Sequence, residues 1–454
     1  MFNLFISRNL SLKFIAVAMA FCATFVSMPA QASSEQSPQK LTLEQAISLA
    51  QQNDPWLQSN QYRQQAVEAK SISANTYADP MISISAANLP VDSFDFSQEA
   101  MTQLKVGVTQ ALPRGDSLAL AQKRLQQLGQ EFPLQRQDRK AKVKATVTQL
   151  WLDVYLIEQT INLIERDRQL FEQLAETVSL NYSSGMRQTR QQDVIRSQVE
   201  LTRLDDRLSK LHQELAIKKS MLKEWLINDS HLSFAHNNFS LPAIAPKVKL
   251  EHEQVISLDS SGDKQMLIQH LQQHPQVLAF EQKVKASQTT IDLAKQKYKP
   301  QWNLNASYGH RDDDPMGNNR SDLFSVGVSF DLPIFTSNRQ DQEVTASVKE
   351  REAIKTDKWL LLRSLLSATI NYHGQLNELN KRHSLYKESL LKEMNQQAEA
   401  TLNAYTNDNG DFTEVMRSRI DELNTKIDAL NVEINYLKTI AQLNYLLTQA
   451  NTPG

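Results

Sequence analysis

The chain of 454 residues contains one cysteine, eleven glycines and fourteen prolines. So few turn-formers argue against many compact turns around one ordinary globular core, and abundant Gln, Leu, Lys, Glu and Ala point to unusually long helices. The lone Cys22 has no partner for a disulfide. No stretch beyond residue 28 approaches the ~20 apolar residues of a membrane-crossing helix, so any crossing must be made by strands. Neither sign of charge dominates, with 49 Lys and Arg against 51 Asp and Glu in mixed order. Lacking a basic face, the chain is not expected to bind nucleic acid. A phosphate-binding glycine loop, a nucleophile elbow and a zinc-protease helix are also missing, so no reaction and no cofactor are expected.

What is present begins with Arg8 and Lys13, an apolar stretch from Phe14 to Met28, and the small-x-small triplet Ala30-Gln31-Ala32. This is the pattern of a secretory signal peptide over residues 1–32. Cys22 lies inside it, preceded by Phe21 where a lipoprotein signal needs a small residue, so the processed chain is expected to carry neither thiol nor lipid anchor. Loss of Arg8 and Lys13 leaves 47 cations against 51 anions.

A duplication organises the remainder. Pro55, Ala66, Ala74, Pro80, Ala86, Val106, Gly107, Val108, Leu112 and Pro113 recur 220 positions later as Pro275, Ala286, Ala294, Pro300, Ala306, Val326, Gly327, Val328, Leu332 and Pro333. One gapless offset through ten matches marks a repeated unit. Each unit holds two alternating segments at helix–strand junctions marked by Pro80 and Pro113, and by Pro300 and Pro333. In the first copy Ile82, Ile84 and Ala86 alternate with serines, and Leu104, Val106 and Val108 with Lys105, Gly107 and Thr109. In the second, Trp302, Leu304, Ala306 and Tyr308, then Phe324, Val326, Val328 and Phe330, alternate with polar or small residues. The apolar members are even-numbered throughout.

Alternation alone favours a half-buried soluble sheet. Four features move the reading to membrane strands: the signal peptide, lengths near the ~9 to 11 residues that span a bilayer, the aromatic outer face, and the polar opposite face. Four strands cannot close a barrel, and a membrane sheet tolerates no edges. Two chains supply eight strands, a barrel filled by side chains, whereas three supply twelve, enough for a bore. The loops Leu89 to Met101 and Gly309 to Ser321, carrying Asp92, Asp95, Glu99 and Asp312 to Asp314, suit the solvated outer side. Asp312-x-Asp314-x-x-Gly317 has the start of a calcium loop, but Leu323 fills its twelfth position.

Helical sequence fills the rest. Thr42 and Gln45 mark a helix start, and periodicity runs to about Tyr77, interrupted at Asn53-Asp54-Pro55. A helix from Asp116 to Ser184, kinked near Pro133, carries Leu150, Val154, Ile157, Ile161, Ile164 and Phe171 at heptad spacing with Arg168 interrupting. Beyond a turn at Gly185 come Leu201, Leu204, Leu208, Leu211, Leu215 and Leu222, and in the second copy Met416, Ile420, Leu423, Ile427, Leu430, Ile434 and Leu437. Sustained heptads predict antiparallel coiled coils. At ~1.5 Å per residue, the helices Asp116 to Ser184 and Asn338 to Tyr405 each span on the order of 100 Å. The shorter helices match that length only when stacked end to end, which predicts a tall helical cylinder beneath the strands. The resulting division is residues 1–32 as signal peptide and 33–454 as one domain: repeat 1 (41–227), an equatorial insertion (228–265) forming a belt, and repeat 2 (266–450). His231, His236 and His252 in the insertion read as solvated, and His270 with His274, spaced as a metal pair would be, lack the acid and third ligand of a zinc site. No metal site is expected.

A duplicated helix, strand, strand, long helix, turn, helix unit behind a signal peptide resembles the TolC family of outer-membrane efflux channels. Tyr182-Ser-Ser-Gly185 followed by Asp193-Val194, and Tyr405 followed by Gly410 and Glu414-Val415, are similar to that family's tip pattern. Asn88-Leu89-Pro90 with the acidic loop beyond it looks most like the heavy-metal branch. The resemblance implies a mainly α fold with a small β part: a homotrimer with four transmembrane strands per chain, a 12-stranded barrel in outer-membrane lipid and a periplasmic coiled-coil tunnel. It implies as partners a periplasmic adaptor and an inner-membrane pump of RND type. It also implies that Tyr182, Gly185, Asp193, Tyr405, Asp408, Gly410, Asp411 and Glu414 form the periplasmic gate and adaptor-docking tips. The competing expectation is a soluble periplasmic coiled-coil scaffold.

Overall fold

The computed structural model describes residues 39–185, 189–227, 239–256, 261–407 and 409–451. The signal peptide, His231, His236 and Asp408 lie outside the described residues. In chain order the elements are β1 (Gln39–Lys40), α1 (Leu43–Gln52), α2 (Pro55–Ala74), β2 (Met81–Ala87), β3 (Gln103–Ala111), α3 (Ser117–Gly129), α4 (Glu131–Ser184) and α5 (Gln191–Leu226). There follow β4 (Phe239–Ser240), α6 (Ser261–Gln272), α7 (Pro275–Gln296), β5 (Trp302–His310), β6 (Leu323–Phe330), α8 (Gln340–Leu385), a π turn (Tyr386–Leu390), α9 (Leu391–Thr406) and α10 (Phe412–Leu446).

Local chemistry sets the boundaries. Thr42 and Gln45 form a capping box at the start of α1, whose Leu43, Ala46 and Ala50 are buried. Asp54 caps α2 and His274 caps α7, each followed by a proline at the first helical position, where the missing N–H is not needed. The same tolerance explains a difference from the sequence expectation. The break in the first long helix falls at Gln130, and Pro133 sits in the first turn of α4 rather than at the kink. The helix before Pro80 ends at Ala74, three residues before Tyr77, and the helix expected from Met266 starts at Ser261.

The four longer strands form one antiparallel sheet in the order β2-β3-β5-β6, so the repeats meet at β3 and β5. Its even-numbered apolar side chains stand in the open: Ile84 and Val326 are each 73% exposed, and Val106, Tyr308 and Phe324 are exposed as well. A half-buried soluble sheet would have covered this face. Below the sheet, α4 packs against α5 and α10, and α10 against α8 and α9. The heptad residues Val154, Ile157, Ile161, Ile164 and Phe171 are buried, as are Leu204, Met416, Leu423, Ile427 and Ile434. The shorter helices stack as expected: Asn53 at the end of α1 donates to the carbonyl of Leu226 at the end of α5 (3.0 Å), and Ala450 donates to that of Gln273 (3.0 Å).

The described part of the insertion lies against α4. β1 and β4 pair in parallel, Trp151 Nε1 donates to the Leu41 carbonyl (3.0 Å), and the Tyr155 hydroxyl donates to that of Ala243 (3.1 Å). Three apolar clusters follow one another: around Trp151 and Leu222, around Phe171 and Met416, and around Leu267 and Leu443.

Candidate functional site

Both helix hairpins end in turns whose acidic residue holds the same helical position. Asp193 is the third residue of α5 and Glu414 the third of α10, and each precedes a valine. The unequal spacing from Tyr182 and Tyr405 is therefore taken up before these helices start, one residue at the helix end and one in the turn. The two acids do different work. Asp193 is buried and accepts from the backbone N–H of Arg190 (2.9 Å), closing the start of its own helix. In α10 that task falls to Asp411, whose carboxylate accepts from the Thr413 N–H (3.0 Å), and Glu414 is left exposed.

The other tip residues set chain direction. Gly185 ends α4 at φ 65°, the left-handed conformation that a side chain disfavours. Gly410 is needed for closeness: a Cβ there would lie 2.8 Å from Tyr405 N and 3.0 Å from Ala404 C. Tyr182 projects outward, whereas Tyr405 is partly buried with its ring centroid 5.7 Å from that of Phe412.

Above the second tip lies a feature the sequence reading passed over. Arg419 is buried, with Nη1 on Glu422 (2.9 Å) and Nη2 on Glu399 (2.7 Å). Glu422 also accepts from Lys426 (2.9 Å) and Asn395 (3.0 Å), and Lys426 reaches Asp167 of α4 (3.3 Å). Burial works against the charge of Glu422, but Asn395, Lys426 and Arg419 outweigh it and hold its carboxyl below the ordinary range. Desolvation likewise opposes the charge on Arg419, and its two glutamates overcome it, so its pKa lies above the usual value. A cation between the apolar positions Met416 and Leu423 was the available signal.

At the other end of the helices, Arg114 joins the repeats by pairing with Asp331 and donating to the Lys299 carbonyl (2.9 Å). Pro113 and Pro333 line a cavity of about 670 Å³ beside this pair, while Pro80 and Pro300 precede β2 and β5. His270 and His274 are structural: His270 Nε2 lies 2.7 Å from the Leu447 carbonyl and Nδ1 lies 2.9 Å from Gln449, while His274 Nδ1 accepts from the Gln276 N–H (3.3 Å). Burial lowers the pKa of both. Among the described residues no group of three or more His, Cys, Asp or Glu is arranged to hold a metal, and no helix is long and apolar enough to cross a membrane.

Residues 267–449, nearly all of the second repeat, match the family model for outer membrane efflux protein. That repeat is thus similar to outer membrane efflux proteins. No curated protein matches this chain in sequence. In fold it is similar to CusC, at 14% identity and TM-score 0.70 over 95% of this chain and 99% of that one. It is similar also to VceC from Vibrio cholerae, at 12% identity and TM-score 0.71 over 90% and 96%. The open state of MtrE from Neisseria gonorrhoeae matches at 14% identity and TM-score 0.67 over 89% and 88%. These likenesses show the fold, long helices beneath a four-stranded sheet.

Proposed function

We propose that this protein is the passive exit duct of a tripartite efflux system. Residues 33–454, freed of a signal peptide at 1–32, assemble as a homotrimer in which each copy contributes four strands to one barrel. A periplasmic adaptor and an inner-membrane pump of RND type deliver substrate to the helix tips, and substrate leaves through the strands. One observation carries this reading: a sheet with a bare apolar face and two open edges stands on helices on the order of 100 Å long.

The proposed cargo is heavy-metal cations. The likeness to CusC and the acidic loops support this choice. Asp314 is bonded by the Asn318 side chain and backbone, and Asp95 by the Ser97 N–H, which holds both carboxyls below the ordinary range. Negative charge at the outer mouth favours cation exit. The tips at Tyr182, Gly185, Asp193, Tyr405, Asp408, Gly410, Asp411 and Glu414 act as the gate and adaptor contact.

The test is growth of a deletion strain, with and without the restored gene, on graded copper, silver, zinc, cobalt and cadmium beside dyes, bile salts and antibiotics. Selective metal sensitivity is expected. Sensitivity to the organic compounds alone makes the duct a multidrug outlet. Release of the protein from membranes by carbonate without detergent would replace the duct with a soluble scaffold.

A further inference from the structure

Within one chain the repeats meet along two seams, β3 with β5 in the sheet and α4 with α10 among the helices. The elements left at the margins are copies of those at the seams: β6 repeats β3, β2 repeats β5, and α5 repeats α10. We propose that a second copy of this chain docks on these margins and that its seam reproduces the internal one residue for residue. β6 of one copy then runs antiparallel to β2 of the next with Ser329 opposite Ser85, as Thr109 lies opposite Asn305 within the chain. This rests on the homotrimer reading and adds its register.

Parity narrows the choices. Asp331 N donates to Gln301 O, so odd-numbered residues of β6 turn their backbone groups to β5 and even-numbered ones face outward. Leu112 N donates to Trp302 O, so even-numbered residues of β3 face β5 and odd-numbered ones face β2. Met81 lies opposite Thr109, which leaves the even-numbered residues of β2 facing outward. Both free edges therefore offer even-numbered backbone groups, as β3 and β5 do to each other. A slip of one residue would also turn the apolar side chains inward. Only slips of two remain, placing Ser329 opposite Ser83, Ser85 or Ala87.

Such a slip does occur inside the fold. Ile82 lies opposite Val108, but its copy Trp302 lies opposite Phe330 rather than Val328. Ring closure narrows the three choices. Crossing the sheet from Ser85 leads to Lys105, Gly309 and Leu323, and with Ser329 opposite Ser85 the path enters the next copy level with Val91, six residues along. Three such steps around twelve strands, at ~3.3 Å per residue and ~4.8 Å between strands, tilt the strands by about 46°. Pairing with Ser83 gives about 35° and pairing with Ala87 about 54°; barrel strands tilt about 35–45°, which sets Ala87 aside, and the internal seam of Thr109 with Asn305 selects Ser85 over Ser83.

The helices point to the same occupant. Counted from the caps Arg190 and Asp411, Ile195 of α5 corresponds to Met416 of α10; counted from the caps Ile227 and Leu447, Ile217 corresponds to Leu437. Ile195 and Ile217 are 52% and 47% exposed, whereas Met416 and Leu437 are 1% and 9% exposed. The apolar residues that α10 buries within the chain are thus still uncovered on α5. A second copy covers them.

Cysteine pairs test the register in the full-length protein, whose only cysteine lies in the expected signal peptide. Ser329→Cys is combined in turn with Ser83→Cys, Ser85→Cys and Ala87→Cys, and each protein is purified in detergent, oxidised and run on a denaturing gel. The position of Ser85 and Ser329 copies a non-hydrogen-bonded pair, where side chains approach most closely and a disulfide fits. Covalent trimers are expected for S85C with S329C, at least tenfold above the other two pairs. Stronger linking at 83 or 87 overturns the register and leaves the trimer standing. No linking in proteins that sediment as trimers overturns the edge pairing, and sedimentation as monomers removes the trimer reading with it.

Discussion

The two helix hairpins descend from one repeat yet hold their ends by different means. The first closes α5 with a buried carboxylate, Asp193, and continues upward with Leu201 and Leu204 in its seam. The second moves its cap one turn earlier to Asp411, frees Glu414, and places Arg419 and Glu422 beside the seam. A seam of leucines is insensitive to its surroundings. One that includes a buried ion pair depends on every partner being present, because a charge left alone in low dielectric is costly.

The sharpest way to break the contrast is Arg419→Met, which takes from buried Glu422 one of its two cations. A loss of about 3 kcal/mol is expected, read as amide exchange in α10 quickened on the order of a hundredfold. Adding Glu422→Leu should restore most of it. Gln198→Met, at the matching position counted from the caps, should change little. Next in size is Gly410→Ala, expected to cost about 1–3 kcal/mol because the new Cβ meets backbone at 2.8 Å. Gly185→Ala meets no atom and carries only the φ penalty of about 1 kcal/mol. Thermal melts of the two variants measure the difference.

Asp193→Ala should cost about 1 kcal/mol as a lost cap, visible as faster exchange at the first turn of α5. Glu414→Ala should leave stability unchanged and raise single-channel conductance, since its carboxylate is free to act between helices. Equal effects of the two on conductance would erase the distinction.

The smallest effect is on pH. His270 and His274 have pKa values lowered by burial, so the folded state holds them neutral while the unfolded chain takes up protons near the ordinary histidine value. Their contribution is present above about pH 6.5 and is lost as pH falls through the lowered folded values. Melts at pH 7.5 and 5.5 should differ less in the double variant His270→Gln/His274→Asn than in the parent.

Much of this was legible in the sequence because it depends on local pattern. The offset of 220, the even-numbered apolar positions and the capping box at Thr42 are each set within a few residues or by a repeat. The rest depends on contacts between distant segments. His270 and His274 share the spacing of a metal pair, and only the return of the chain at Leu447 and Gln449 reveals what they hold. Arg168 and Arg419 look alike in the heptads, but Arg168 stays at the surface with Glu172 and Asp205 while Arg419 is covered by Glu399 of the opposing helix. Tertiary neighbours, not spacing, decide which interrupting cation is buried.

The two unpaired margins of the sheet also bear on inheritance. In the trimer proposed above, a ring is only as sound as its worst member, because each faulty edge leaves one seam open. A cell making normal and edge-defective chains in equal amounts would have about one ring in eight free of the defect. Lesions in β2 or β6 should therefore behave as dominant, whereas a truncation that never folds should be masked by a normal gene.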